Sequence, residues 1–209
     1  MGEKYDKDGE YGKKSDEPLK IEEKALAEVY GDQKRYTYAD YCSWDEDERC
    51  EIIDGLLYMM AQPTRKHQEI TGEIYRQLAN FLKGKPCRVF ISPFCVRLNH
   101  KAKDDTVVEP DVLVVCDESK LDDSGCNGAP DLVIEVLSPS TADYDKSIKY
   151  NKYKEHGVRE YWIVDPVDNN VTIHLFKKDR PAPDYCIGSG TIYVHILKGC
   201  MIDLRDLLI

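Results

Sequence analysis

Two acidic residues in this chain stand where acids are costly. Glu135 lies in the middle of the apolar run LVIEVL, and Asp111 follows Pro110 and leads straight into VLVV. Burying an unpaired carboxylate costs several kcal/mol, so each needs a cation, a metal ion or a raised pKa. For Glu135, an ion pair with one Arg or Lys in the core would suffice, and so would membership of a functional site. Neighbouring strands that each present a carboxylate can hold a hard cation. Mg²⁺ suits such a pair, because it takes one or two carboxylates and completes its shell with water and phosphate oxygens. Downstream, Lys146, Lys149 and Lys152 recur at three-residue spacing. They read either as a solvated helix face or as the source of one amine that orients or deprotonates a water and steadies charge at phosphorus. Glu51 flanks an apolar strand and is either a further oxygen donor or a surface cross-strand partner. His67 opens a helix, where a polar surface role is the simpler reading. Asp131 and Asp165 bound strands and read as turn residues; Tyr153 and Trp162 read as core.

The elements that must position these groups follow from pattern. In CEIIDGLLYMMA, two apolar runs flank Asp54-Gly55, the dipeptide that supplies the positive φ angles of a two-residue hairpin turn. Pro63-Thr64 then opens a helix whose Ile70, Ile74, Leu78 and Phe81/Leu82 give one apolar face. CRVFISPFCVRLN reads as one or two strands, TVVEPDVLVVCD as a strand apolar on both faces, and ESKLDDSGCNGAP as a loop. DLVIEVLS is a second buried strand. A helix from Pro139–Thr141 to His156, ended by Gly157, carries the chain to the strand REYWIVDP, which makes a β–α–β unit. VTIHLFKK and IYVHILKG follow, then a short helical C-terminus. Upstream, IEEKALAEVY and the stretch around Tyr36–Tyr41, with Thr37 as cap, read as helices, and residues 1–20 as a disordered tail of mixed charge. The expectation is one α/β domain over residues 21–209 with a central mixed sheet.

Composition limits the function classes. The 209 residues carry a net charge of −10, which argues against a large basic nucleic-acid surface. The charge is uneven: residues 1–60 hold 17 acids and 9 bases, the remainder 22 and 20. A local basic face or metal ions can still offset repulsion from a phosphate backbone. No window reaches the roughly 18 apolar residues of a membrane helix, and the N-terminus has no apolar stretch of a secretory signal, so a cytoplasmic protein is expected. The eight cysteines are scattered without a CxxC pair. They read as reduced thiols, several of them small buried hydrophobes such as Cys95 and Cys116.

Together, PD at 110–111, DLVIEVLSPST, the helix carrying YDKSIKYNKYKEHGV, and EYWIVDP resemble the Uma-type restriction endonuclease family of the PD-(D/E)XK nuclease superfamily. CEIIDGLLYMM, with His67 opening the next helix, is similar to that family's entry segment, and the resemblance covers about residues 36–209. It implies a restriction-endonuclease-like core with a central mixed β-sheet flanked by helices. It also implies hydrolysis of DNA phosphodiester bonds, with Mg²⁺ or Mn²⁺ held by Asp111 and Glu135. The superfamily places a lysine two residues after the second acid, where this chain has Leu137. In the Uma-type pattern the lysine sits on the following helix. There Lys149, in the D–x–x–x–K element from Asp145, is the match and Lys146 the local rival. The resemblance thus assigns Asp111, Glu135 and Lys149 to catalysis, with Glu51 and His67 as secondary candidates. A nuclease that cuts both strands of a duplex is compatible with a homodimer. The displaced lysine and the acidic charge favour an alternative, a catalytically inactive nuclease-fold module that binds nucleic acid or mediates assembly. A homo-oligomeric structural protein is the third reading.

Overall fold

The computed structural model describes residues 34–44, 49–138, 142–176, 185–188 and 190–205. The expected N-terminal tail, the helix IEEKALAEVY and the start of the Pro139–Thr141 helix lie outside these residues. Helix α1 (Tyr38–Tyr41) begins at Thr37, whose backbone N–H donates to the Asp40 carboxylate at 2.8 Å. Strands β1 (Cys50–Ile53) and β2 (Leu56–Met59) form the expected hairpin, with Asp54 and Gly55 at φ 51° and 77°. Helix α2 (Arg65–Leu82) starts at Thr64, which accepts from the backbone N–H of His67, and it buries Ile70, Ile74, Leu78 and Leu82 on one face. Strands β3 (Arg88–Ile91), β4 (Val96–Arg97), β5 (Val107–Val108) and β6 (Val112–Val115) follow.

Two segments differ from the sequence pattern. TVVEPDVLVVCD is not one strand: Glu109 and Pro110 part it into β5 and β6, which belong to different sheets. A proline has no N–H for a ladder, so the chain leaves one sheet there and enters the other. ESKLDDSGCNGAP is not a plain loop; it holds a 3₁₀ turn (Glu118–Lys120) and the hairpin of β7 (Leu121–Asp122) and β8 (Gly125–Asn127).

Strand β9 (Leu132–Val136) leads to a helical stretch in three segments: α3 (Ala142–Tyr144), a π turn (Asp145–Lys149) and α4 (Tyr150–His156). Gly157 closes it at φ 91°. Strand β10 (Glu160–Asp165) then pairs parallel to β9, which completes the β–α–β unit. Strands β11 (Asn170–Leu175), β12 (Tyr185–Ile187), β13 (Thr191–Tyr193) and β14 (Met201–Asp203) end the described chain. The C-terminal segment expected as helical thus contributes a strand.

Among the described residues the strands form a six-stranded sheet ordered β2-β1-β5-β4-β8-β7, a second ordered β12-β11-β10-β9-β6-β3, and a β13-β14 ribbon. Each six-stranded sheet is mixed, with one parallel pair, β4-β8 and β9-β10 respectively. The central strands β6, β9 and β10 of the second sheet are buried on both faces, as their largely apolar runs require. One face carries Ile134, Val136, Trp162 and Val164 and packs on the apolar stripe of α2 and on the ribbon. Gln77 of α2 clamps the ribbon through paired 2.8 Å bonds with the backbone of Asp203. The opposite face carries Val133, Leu137, Tyr161 and Ile163 and packs on Ile53, Val96 and Val108 of the first sheet and on Tyr153 of α4. Trp162 and Tyr153 are core residues, as their types predict.

One cysteine expectation is overturned. Cys87 and Cys116 form a disulfide rather than remaining thiols. The antiparallel register of β3 and β6 pairs Arg88 with Val115, and its next step sets Cys87 against Cys116. Cys116, read as a small buried hydrophobe, is thus bridged and Cys95, read likewise, is half-buried, while Cys50, Cys126 and Cys200 are buried thiols. No helix among the described residues is long and apolar enough to cross a membrane.

Candidate active site

Register brings the two acids together. Strand β6 runs antiparallel to β9 with Val112 opposite Ile134, and one further step sets Asp111 across from Glu135. The Asp111 N–H donates to Glu135 Oε2 at 3.3 Å, while the N–H of Val136 donates to Asp111 Oδ2 at 2.8 Å. Pro110 places the turn that ends this pairing, so Asp111 sits at the mouth of the sheet and Glu135 one strand deeper.

The π turn brings in the lysine. Lys149 Nζ lies 2.9 Å from Glu135 Oε1, 2.9 Å from Glu51 Oε1 and 3.5 Å from Asp145 Oδ1. A π turn is wider than an α turn and commonly marks a functional site. Here it carries Asp145 and Lys149 inward together. Lys146 faces elsewhere; half exposed, it pairs with Asp165 at 3.3 Å. Lys152 binds Asp54 in the β1–β2 turn at 2.8 Å and fixes the helix to the hairpin. The even three-residue spacing of the lysines therefore hides three different environments.

Glu51, left open between an oxygen donor and a surface partner, and His67, read more simply as a surface group, are both buried in the cluster. Glu51 on β1 is 2% exposed; besides Lys149, it accepts the Glu109 N–H at 2.8 Å and the Tyr144 hydroxyl at 3.3 Å. His67 is also buried, and its Nε2 lies 3.1 Å from Asp111 Oδ2. Its backbone N–H donates to the capping Thr64 hydroxyl at the start of α2, while its ring reaches the sheet end. Sequence reading also missed Tyr153 as part of the site: its hydroxyl donates to Glu135 Oε1 at 2.7 Å. The i, i+4 offset of Tyr153 from Lys149 on a helix facing Glu135 is the signal that could have found it. Of the two acids read as turn residues, Asp165 binds local backbone, whereas Asp131 reaches across to the chain beyond β6 and to Arg159. Asp131 accepts the Cys116 N–H at 2.8 Å, and Asp165 accepts those of Val167 and Asp168.

The electrostatics are those of an acid surplus. Glu51, Glu135 and Asp145 gather about one buried ammonium, and Asp111 adds a fourth carboxylate beside Glu135. Burial pushes the Glu135 carboxyl up to about 8; Lys149 pulls it down, and Asp145, Asp111 and Glu51 push it further up. For Lys149 burial opposes the charge, but Glu135 and Glu51 outweigh it and hold the amine charged well above its usual value. An amine so held acts as a donor and a fixed charge, not as a base. For His67 burial likewise favours the neutral ring, and hydrogen bonding to Asp111 overcomes it and raises the pKa.

This donor set fits a hard divalent cation. Asp111 and Glu135 offer carboxylate oxygens from adjacent strands, and the surplus of buried negative charge is what a cation would relieve. Among the described residues no three His, Cys, Asp or Glu side chains form a ready-made metal cage. A cation held here would complete its shell with water or phosphate oxygens, as Mg²⁺ commonly does. The cluster forms the floor of a pocket of about 630 Å³, with Arg49, Tyr58, Met60, Pro63 and Pro93 among its walls. Such a site can grip a phosphate oxygen, orient a water and stabilise added negative charge.

Comparison with known proteins agrees with this architecture. Residues 37–187 match the family model Uma2, described as "Putative restriction endonuclease". The uncharacterized protein slr1290 of Synechocystis sp. (strain ATCC 27184 / PCC 6803 / Kazusa) is 29% identical over 143 residues, covering 67% of this chain and 73% of that protein. A second uncharacterized protein of the same strain, sll1609, is 28% identical over 142 residues, 66% of this chain and 78% of its own. In the crystal structure of a putative nuclease belonging to DUF820 from Anabaena variabilis ATCC 29413, the same fold recurs. Its TM-score is 0.65 at 20% identity, over 83% of this chain and 99% of that one. With the family model spanning well over half of its length, the chain belongs to the Uma2 family.

Proposed function

We propose that this protein is a metal-dependent nuclease that hydrolyses DNA phosphodiester bonds, with Asp111, Glu135 and Lys149 at the reacting centre. The supporting observation is the pairing of Asp111 with Glu135 across adjacent strands, with the Lys149 ammonium 2.9 Å from Glu135. In this reading Asp111 and Glu135 hold Mg²⁺ or Mn²⁺, which supplies Lewis acidity at the phosphate and a more acidic water. Lys149 restores in space the amine that Leu137 removes from the strand. It orients the attacking water and offsets the charge that builds on the phosphoryl oxygens. Glu51 and Tyr153 hold Lys149 and Glu135 in place, and His67 fixes Asp111.

The test is cleavage of plasmid and single-stranded DNA by the purified chain with Mg²⁺, Mn²⁺ or EDTA. Glu135→Ala and Lys149→Ala should each lower the rate by roughly 10²–10³-fold, the usual loss for a preorganised electrostatic group. EDTA should abolish it. Metal-independent cleavage, or full activity in Glu135→Ala, would sink the reading. One observation favours a second reading, a nuclease-fold module that binds DNA without cutting: Lys149 itself neutralises Glu135, as a structural ion pair would. DNA affinity unchanged by Glu135→Ala, with no turnover in any metal, would select it.

A further inference from the structure

The groups proposed for chemistry are recessed. Glu51, Glu135 and Lys149 have side chains 3–4% exposed, at the floor of the pocket of about 630 Å³. A stacked duplex is stiff over about 150 base pairs and carries its phosphates on the outside of a wide cylinder. Such a phosphate meets the rim of a recess, not its floor. A strand that has left the helix can bend inward, and pockets of roughly 300–1,000 Å³ enclose a molecule of about the size of one nucleotide.

The walls agree with the size. Tyr58 of β2 and Tyr144 of α3 pack with ring centroids 4.7 Å apart and form an aromatic side of the pocket. Met60, Pro63 and Pro93 add apolar surface. Unstacked bases are bound in this way, on aromatic rings, because every base has a π face. The Tyr144 hydroxyl also donates to Glu51 at 3.3 Å, which ties the aromatic wall to the acid cluster.

Charge points the same way. Duplex binders commonly neutralise about 6–10 phosphates with Lys and Arg. Among the described residues lining this pocket the permanent cations are Arg49 and Lys149. Arg49 Nη2 is anchored by Ser92 Oγ at 2.9 Å and Glu109 Oε2 at 3.1 Å, which fixes its guanidinium at the wall. Two positioned cations serve one or two phosphates, not a duplex backbone, and a chain of net charge −10 adds no attracting field.

We infer that the pocket takes an unpaired DNA strand, with a base against Tyr58 and Tyr144 and its phosphate between Arg49 and Lys149. This inference rests on the nuclease reading and names its substrate class. The experiment compares a labelled short single strand, the matching blunt duplex and a duplex with an unpaired flap. Fluorescence anisotropy with the full-length Glu135→Gln chain gives binding, and wild-type protein with Mn²⁺ gives cleavage.

The single strand and the flap should bind and be cut at least about tenfold better than the blunt duplex. Tyr58→Ala should weaken single-strand binding roughly tenfold, and Tyr58→Phe should retain it. Equal or better handling of the blunt duplex overturns the inference and leaves the nuclease reading intact. Single-strand binding that depends on Tyr58, with no cleavage in any metal, upholds the pocket and overturns the nuclease reading. The wild-type comparison of substrates decides the matter even if Tyr58→Ala fails to fold.

Discussion

At the scale of residues, Lys149 is, among the described residues, the one buried ammonium set among three carboxylates, and each depends on it. Removing one member of a buried ion cluster leaves the others charged and unpaired, at a cost of roughly 3–5 kcal/mol. Lys149→Met should therefore lower the urea midpoint strongly as well as the activity. The double variant Lys149→Met/Glu135→Gln should lose less stability than the two single changes combined, because their partners are shared; additive losses would show that the contact contributes nothing. His67 acts one step back. It touches Asp111, so on the proposed metal-dependent reading His67→Ala should weaken apparent Mn²⁺ affinity about 10–100-fold, as lost support of a metal ligand does. The readout is the Mn²⁺ concentration for half-maximal cleavage. A purely structural role would leave that concentration unmoved.

Among the elements, hairpin β1–β2 delivers Glu51, helix α2 delivers His67, and the π turn delivers Asp145 and Lys149 to the ends of β6 and β9. The scaffold beneath depends on a close approach. A Cβ built on Gly125 of β8 would lie 2.2 Å from the Cys95 carbonyl oxygen, and its φ of 140° disfavours any side chain. The Cys126 N–H donates to that same carbonyl at 2.8 Å, so the parallel β4–β8 pairing needs the gap. Gly125→Ala should destabilise the fold by more than about 1 kcal/mol, measured by thermal melting. An unchanged melting temperature would mean that β8 can shift without consequence. The hairpin turn and the helix boundaries were legible before the structure because Asp54-Gly55, Pro63-Thr64 and Gly157 set backbone angles locally. The β7–β8 hairpin was not. Its strands are two and three residues long, too short for periodicity to register.

For the molecule as a whole, the second sheet is held between α2 with the ribbon on one side and the first sheet with α4 on the other. The Cys87–Cys116 disulfide spans 29 residues and ties the segment after α2 to the end of β6. Closing a loop of that length stabilises a fold by about 2–4 kcal/mol. A reductant should lower the melting temperature of the wild type, whereas Cys87→Ser/Cys116→Ser should start lower and be insensitive to reductant. A wild-type melting curve indifferent to reductant would show that the bridge contributes no stability.

The amino-acid sequence by itself determined what local chemistry can fix. An acid inside LVIEVL must find a partner, β9 and β10 must be parallel across a helix, and α2 must bury one face. It also singled out Asp111 and Glu135, the acids set in or beside apolar runs, and its resemblance to the Uma-type pattern pointed to Lys149. Tertiary structure decided between the open readings of Glu51 and His67 by burying both beside these acids, turned Lys149 inward and left its rival Lys146 half exposed, and alone brought Cys87 to Cys116. These are contacts between residues 29 to 98 positions apart or choices among helix faces. Strand register and the width of one π turn set them, and no run of neighbouring residues encodes either.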